Sequence, residues 1–166
     1  MTTIISATAR QDSMTLRMAG IYQQFFKEQG VDAALVSLEN VVFWERGDNL
    51  KELENTLLIP AEKLVFIMPE YNGSYPGSIK TLMDNSDIKK CWWGKKAMLT
   101  GVVDGRAGNL RGLDHFTNVL NYLKVNVYYD KLPISKIGTE LSLDGRLLQD
   151  ATMSAIQQQI AGFIQF

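Results

Sequence analysis

The sequence predicts an α/β fold, a three-layer α/β/α sandwich on a five-stranded parallel sheet. Three observations predict it. Apolar runs recur along the chain without polar alternation, as strands covered on both faces require. Segments between them carry apolar residues at helical spacing. The two kinds alternate, β-α-β-α-β-α-β-α-β-α, the order that builds a parallel sheet with helices on either side. At 166 residues, 1–166 is read as a single domain.

The elements follow in order. Ile4 and Ile5 open the first strand, which meets the polar stretch Ser6 to Ser13. Met14, Met18, Ile21, Tyr22 and Phe25 then mark one face of a helix, with Asp12 or Ser13 as N-cap and Gly30 just past its end. Ala33 to Leu38 is the second strand, and Leu50 to Ile59 a helix stopped by Pro60. Leu64 to Met68 is the third strand and the most apolar, and Ser78 to Asp84 begins the next helix. Ala97 to Val102 is the fourth strand, followed by a helix marked by Leu113, Phe116, Leu120 and Leu123. Val125 to Tyr129 is a weaker fifth strand, and Met153, Ile156, Ile160, Phe163 and Ile164 mark the last helix. Asp130 to Gly145 reads as the longest irregular segment, an insertion or an interface arm, with Asp144-Gly145 as a turn. Right-handed crossovers leave few topologies for such a sheet. The flavodoxin-like strand order 2-1-3-4-5 fits best, and it places ligands beyond the carboxyl ends of the strands.

Composition excludes several classes. The chain is 46% hydrophobic and 21% charged, as folded proteins are and disordered ones are not. Seventeen basic and eighteen acidic side chains leave a net charge of −1. That balance argues against a nucleic-acid binder, which needs a dense basic face. One cysteine, Cys91, excludes an internal disulfide, and one histidine, His115, leaves no His-rich metal set. No apolar run approaches the roughly 20 residues that span a bilayer, and no basic n-region precedes an apolar core. A cytoplasmic protein is expected, with no metal, nucleic-acid or membrane partner.

Three polar loops fall on the sheet edge where a ligand belongs. Ser6 to Ser13 precedes a helix start, whose amides and dipole make an anion site. Thr8 and Ser13 add hydroxyls there and Arg10 a charge, although a plain capped helix start explains this loop equally well. Pro69 to Gly77 holds two prolines, two glycines, Tyr71 and Tyr75, a composition that fixes a specific backbone path. Gly101 to Asn109 holds three glycines and Arg106. Taken alone it is a glycine-containing turn capped by Asn109; together the three loops are a stronger signal than any one.

In these loops the chain resembles the NADPH-dependent FMN reductases, a family that includes related quinone, chromate and azo-dye reductases. The family's Gly-Ser-x-Arg-x-x-Ser-x-Asn stands here as Ala7-Thr8-Ala9-Arg10-Gln11-Asp12-Ser13-Met14-Thr15, departing at Ala7 and Thr15. Its Pro-Glu-Tyr-Asn-x-Ser-x-Pro-Gly-x-Leu-Lys stands almost complete as Pro69-Glu70-Tyr71-Asn72-Gly73-Ser74-Tyr75-Pro76-Gly77-Ser78-Ile79-Lys80, followed by Asp84. Gly94-Lys95 and Gly105-Arg106-Ala107-Gly108 also match, and the likeness covers residues 2 to about 125.

The resemblance implies an NAD(P)H-dependent flavoprotein oxidoreductase with FMN as cofactor and NADPH, or NADH, as donor. Thr8, Arg10, Ser13 and Thr15 would hold the FMN phosphate. Pro69, Glu70, Tyr71, Asn72 and Gly73 would run along the isoalloxazine, with Gly105 and Arg106 on its other side. The acceptor would be a small molecule such as a flavin or quinone, reduced in a ping-pong cycle. Arg106 would have an electrostatic role there, and no side chain would be a catalytic residue, because the cofactor carries the chemistry. The family also implies a homodimer or homotetramer. Outside the motifs, His115 reads as a helix-flank residue, Cys91 as packing, and Trp92-Trp93 as core or subunit contact. The rival reading is a non-enzymatic flavodoxin-type electron carrier or flavin-binding module. Against the carrier stand the missing Thr/Ser-Gly-Asn-Thr phosphate loop and the near-neutral charge.

Overall fold

The computed structural model describes residues 1–142 and 144–166. Its sheet has the expected order, with β1 (Thr2–Ser6), β2 (Ala33–Ser37), β3 (Lys63–Met68), β4 (Lys96–Val102) and β5 (Asn126–Val127) arranged β2-β1-β3-β4-β5 and every pairing parallel. Around it pack α1 (Met14–Glu28), α2 (Asp48–Leu53), α3 (Gly77–Asn85), the short α4 (Ile88–Cys91) and α5 (Leu110–Tyr122). The helix expected up to Ile59 continues α2 through a π-helical turn, Glu54–Leu58, before Pro60.

The apolar strands are apolar throughout because successive side chains enter opposite cores. In β3, Leu64, Phe66 and Met68 join one core with Leu50, Ile79, Phe116 and Leu120 of α2, α3 and α5. Val65 and Ile67 enter the other, with Met18, Tyr22 and Phe26 of α1. The last helix, α7 (Asp150–Gln165), adds Ile156, Ile160 and Phe163 to this second core.

The fifth lane differs from the expectation. Instead of one strand over Val125 to Tyr129, β5 pairs with Lys96 and Ala97 only. A sixth strand, β6 (Leu132–Ile134), takes over beside Thr100 to Val102, followed by the short α6 (Ile137–Glu140). The stretch 130–145, expected to be irregular, therefore contributes a strand and a helical turn; Leu143 within it lies outside the described residues. Between β5 and β6 the ladder is broken, and Gln159 of α7 fills the break. Its amide donates to Leu99 O at 3.1 Å and Asp130 O at 2.8 Å. Its carbonyl oxygen receives the Tyr22 hydroxyl at 2.8 Å and the Thr100 hydroxyl at 3.1 Å. Burial holds the Tyr22 phenol protonated well above its ordinary range.

Cys91 and Trp92 are fully buried in the first core, as packing requires, whereas Trp93 is 40% exposed beneath Lys124. Burial, reinforced by Glu54 and Asp87, pushes the Cys91 thiol from 9.0 up to about 12. The folded chain keeps this proton after the unfolded chain has lost it. Stability from Cys91 is therefore complete below pH 9 and drains away as pH rises toward 12, at about 1.4 kcal/mol per unit. Urea unfolding at pH 8 and pH 10.5 should show a smaller alkaline loss in Cys91→Ala than in the natural chain. Equal losses would remove the thiol from this account.

Candidate functional site

Three loops leave the carboxyl ends of β1, β3 and β4 and meet over the sheet. The first is drawn down by Ala7, whose amide donates to Ile67 O at 2.9 Å. Thr8 is fully buried behind it; its hydroxyl accepts from the Arg10 amide at 3.2 Å and lies 2.6 Å from the Tyr71 hydroxyl. The Arg10 guanidinium sits 4.2 Å from the centre of the Tyr71 ring, a cation–π contact. Asp12 turns the chain at φ 50, and Ser13 caps α1 by accepting from Leu16 N at 3.1 Å. A hydroxyl that accepts in this way keeps its own proton to donate outward.

In the second loop Tyr71 and Ser74 exchange backbone hydrogen bonds of 2.9 and 3.1 Å. Between them Asn72 and Gly73 adopt φ 52 and 78, the left-handed pair that makes Asn-Gly the favoured type I′ turn.

The third loop folds back over its own strand. A Cβ at Gly101 would stand 2.1 Å from Gly108 O, so only glycine lets the loop lie so low. Asn109, expected to cap this turn, does something else. It sits at φ 67, fully buried, makes no side-chain cap to α5, and donates its amide to Met68 O at 3.3 Å and Pro69 O at 3.0 Å. It thereby pins the third loop to the second. The β6–α6 segment braces the same loop, with Lys136 N donating to Gly105 O at 3.2 Å and Val103 N to Ile134 O at 3.1 Å.

The loops enclose a cleft of about 550 Å³, within the range of small-molecule sites. Its walls bring together Arg10, Ser13 and Thr15 of the first loop and α1, Pro69, Glu70 and Tyr71 of the second, and Gly105 and Arg106 of the third. Thr8 lies behind this wall, and Asn72 and Gly73 lie at the loop tip beside it. The sequence reading missed Met14, Val103, Asp104 and Ile137, which also face the cleft. Ile137 belongs to a segment without a motif, so only its apolar character marked it. A side chain added at Gly105 would meet nothing within 4 Å, so this peptide faces open space. Charge in the cleft is mixed, Arg10 and Arg106 against Glu70 and Asp104. Among the described residues no cluster of His, Cys, Asp and Glu could hold a metal ion, and no helix is long and apolar enough to cross a membrane.

Comparison with known proteins gives concordant results. The model of the family described as NADPH-dependent FMN reductase matches residues 2–138. A Pseudomonas aeruginosa protein named NAD(P)H-dependent FMN reductase is 33% identical over 103 residues, 60% of this chain and 56% of that protein. The match thus spans little more than half of that relative. Among solved structures, the flavoenzyme NAD(P)H:(acceptor) oxidoreductase FerB from Paracoccus denitrificans superposes with a TM-score of 0.84 at 19% identity, covering 99% of this chain and 94% of that one. An NADH:FMN oxidoreductase gives 0.80 at 19% identity, covering 98% and 87%. These structural likenesses establish the fold.

Proposed function

The chain belongs to the NADPH-dependent FMN reductase family, and from that premise we propose that it is an FMN-dependent oxidoreductase taking electrons from NAD(P)H and passing them to a small acceptor such as a flavin or quinone. The observation that carries this reading is the convergence of the three loops on one cleft.

The residues present fit FMN. The first loop offers a guanidinium, an outward-facing hydroxyl on Ser13, and the first-turn amides of a 15-residue helix, the donor set a terminal phosphate needs. The rest of the cleft is a slot between Pro69–Tyr71 and Gly105–Arg106, open where a Cβ at Gly105 would stand. We assign phosphate binding to Arg10, Ser13 and Thr15. Thr8 acts behind them as a positioning residue, holding the Arg10 amide and the Tyr71 hydroxyl. Pro69, Glu70 and Tyr71 form one wall of the ring slot, with Asn72 and Gly73 setting the turn that holds this wall. Gly105 and Arg106 form the other.

FMN, when bound, supplies the electron-transfer chemistry, so the chain needs no acid, base or nucleophile of its own. Its side chains bind, orient and set the local charge, with Arg106 favouring added negative charge beside it. The cleft offers one open slot, and donor and acceptor use it in turn, which is a ping-pong order. We further propose that 1–166 folds as one domain and assembles as a homodimer or homotetramer.

Anaerobic titration of the FMN-reconstituted protein with NADPH, followed by visible absorption, tests the reading. Rapid bleaching supports a reductase; bound flavin that stays yellow points to a carrier; failure to bind FMN overturns the assignment. A second expectation concerns Arg10. Arg10→Ala should weaken FMN binding about ten- to a hundredfold, the weight of a charge-assisted hydrogen bond, measured by fluorescence titration. Riboflavin, which lacks the phosphate, should lose far less; an equal loss for both would move Arg10 away from the phosphate.

A further inference from the structure

The first two turns of α5 lie against the outside of the second loop. Arg111 and His115 are four residues apart and so share one helix face, and the contacts identify it as the face turned to that loop. The Arg111 guanidinium reaches across Gly73, with Nη1 3.0 Å from where a Cβ on that glycine would stand. The His115 ring is held by a hydrogen bond of 3.0 Å between Nδ1 and the Ser74 hydroxyl, which leaves Nε2 to the outside. Gly112 lies between them, close enough that a Cβ there would be 2.9 Å from the Ser74 carbonyl carbon. The loop tip and the helix therefore form one surface.

This surface adjoins the cleft. Tyr71 lines the cleft, and Gly73 is two residues further along, a span of at most about 7 Å. Its guanidinium is not spoken for. Both residues are exposed, and among the described residues Arg111 forms no ion pair. Asp114, on the same two turns, is held by Lys131 at 2.7 Å. Inside the cleft, Arg10 and Arg106 share the lining with Glu70 and Asp104. The outer rim thus presents an exposed guanidinium with no carboxylate bound to it, one turn from an imidazole whose Nε2 is left as a hydrogen-bonding group, on a chain whose net charge is −1. Leu110, 52% exposed at the start of α5, adds an apolar side chain to the same rim.

We propose that Arg111 and His115 form a phosphate subsite for the dinucleotide donor, gripping it outside the cleft while its nicotinamide end enters. This rests on the reductase reading above and adds the residues that hold the donor's far end. Guanidinium suits the task because its planar fork matches phosphate oxygens two at a time. The dinucleotide carries two kinds of phosphate, the diphosphate bridge and, in NADPH, the 2′-monoester, and the test separates them.

Adenosine 2′,5′-bisphosphate and ADP are titrated calorimetrically into the chain with and without FMN, for the natural sequence, Arg111→Ala, Arg111→Lys and His115→Gln. The result expected is a loss of about ten- to a hundredfold for Arg111→Ala, with partial recovery in Arg111→Lys and a smaller loss in His115→Gln. A loss confined to the bisphosphate assigns the subsite to the 2′-phosphate; a loss toward both nucleotides assigns it to the diphosphate. Unchanged affinities in Arg111→Ala, or no nucleotide binding by the natural chain, overturn the proposal. Circular dichroism and thermal unfolding check that these exposed substitutions leave the fold intact. Failure of the underlying reading is seen separately, as a natural chain that binds nucleotide but whose FMN is not bleached by NADPH.

Discussion

Replacing Asn109 by aspartate should cost the chain about 3–5 kcal/mol at neutral pH, the scale for a buried charge without a partner. The amide of Asn109 donates to two carbonyls, Met68 O and Pro69 O, from a fully buried position. A carboxylate there would face both oxygens with no proton to give. The introduced carboxyl can avoid this only by remaining protonated, so its folded-state pKa must rise above its unfolded value. Its penalty is then small below the ordinary carboxylate range and grows as pH rises. Urea unfolding of Asn109→Asp at pH 5 and pH 8 should show the deficit widening with pH. FMN affinity should fall in parallel, because Asn109 sets the spacing of two cleft walls. A deficit that is absent at both pH values would mean that the two carbonyls have other donors.

Gln159→Leu should destabilise the fold by about 2–4 kcal/mol, through buried polar groups left unpaired. Leucine fills similar space but leaves Leu99 O and Asp130 O without the donor they have now, and Tyr22 with Thr100 as its remaining partner. The damage is local to the break between β5 and β6, so hydrogen exchange should find it there. The Val103 amide, bonded to Ile134 O at 3.1 Å, should exchange much faster than amides of β3. A variant within about 0.5 kcal/mol of the natural chain would show that water replaces the side chain at no cost.

Legibility in the sequence followed physical strength. The strands β1, β3 and β4 were readable because burial on both faces leaves no polar residue to blur them. The loop over Pro69 to Gly77 was readable because two prolines and two glycines in nine residues permit few backbone paths. The split fifth lane was not, since Leu132-Pro133-Ile134 is too short to show a period and carries a proline. Gln159 and Glu54 belong to no apolar stripe or motif, and nothing along the chain singles them out. Both are buried, and each became visible only when the fold brought its partners together; for Glu54 these are Arg46 and the Asp87 amide, both at 2.6 Å. Asn109 was seen but misread, because a cap is the local use of asparagine and a brace between two loops is not visible along the chain.

The divided fifth lane also bears on how copies of this molecule treat one another. An outer strand with a long row of free amides and carbonyls invites another chain to add itself, the first step toward fibrils or exchanged segments. Here that border consists of two residues, an interruption, and three more that include Pro133. The missing amide at Pro133 and the interruption itself leave no continuous run on which a foreign strand could register. By tying the gap shut from a helix rather than with continuous strand, the fold keeps its sheet from growing on this side.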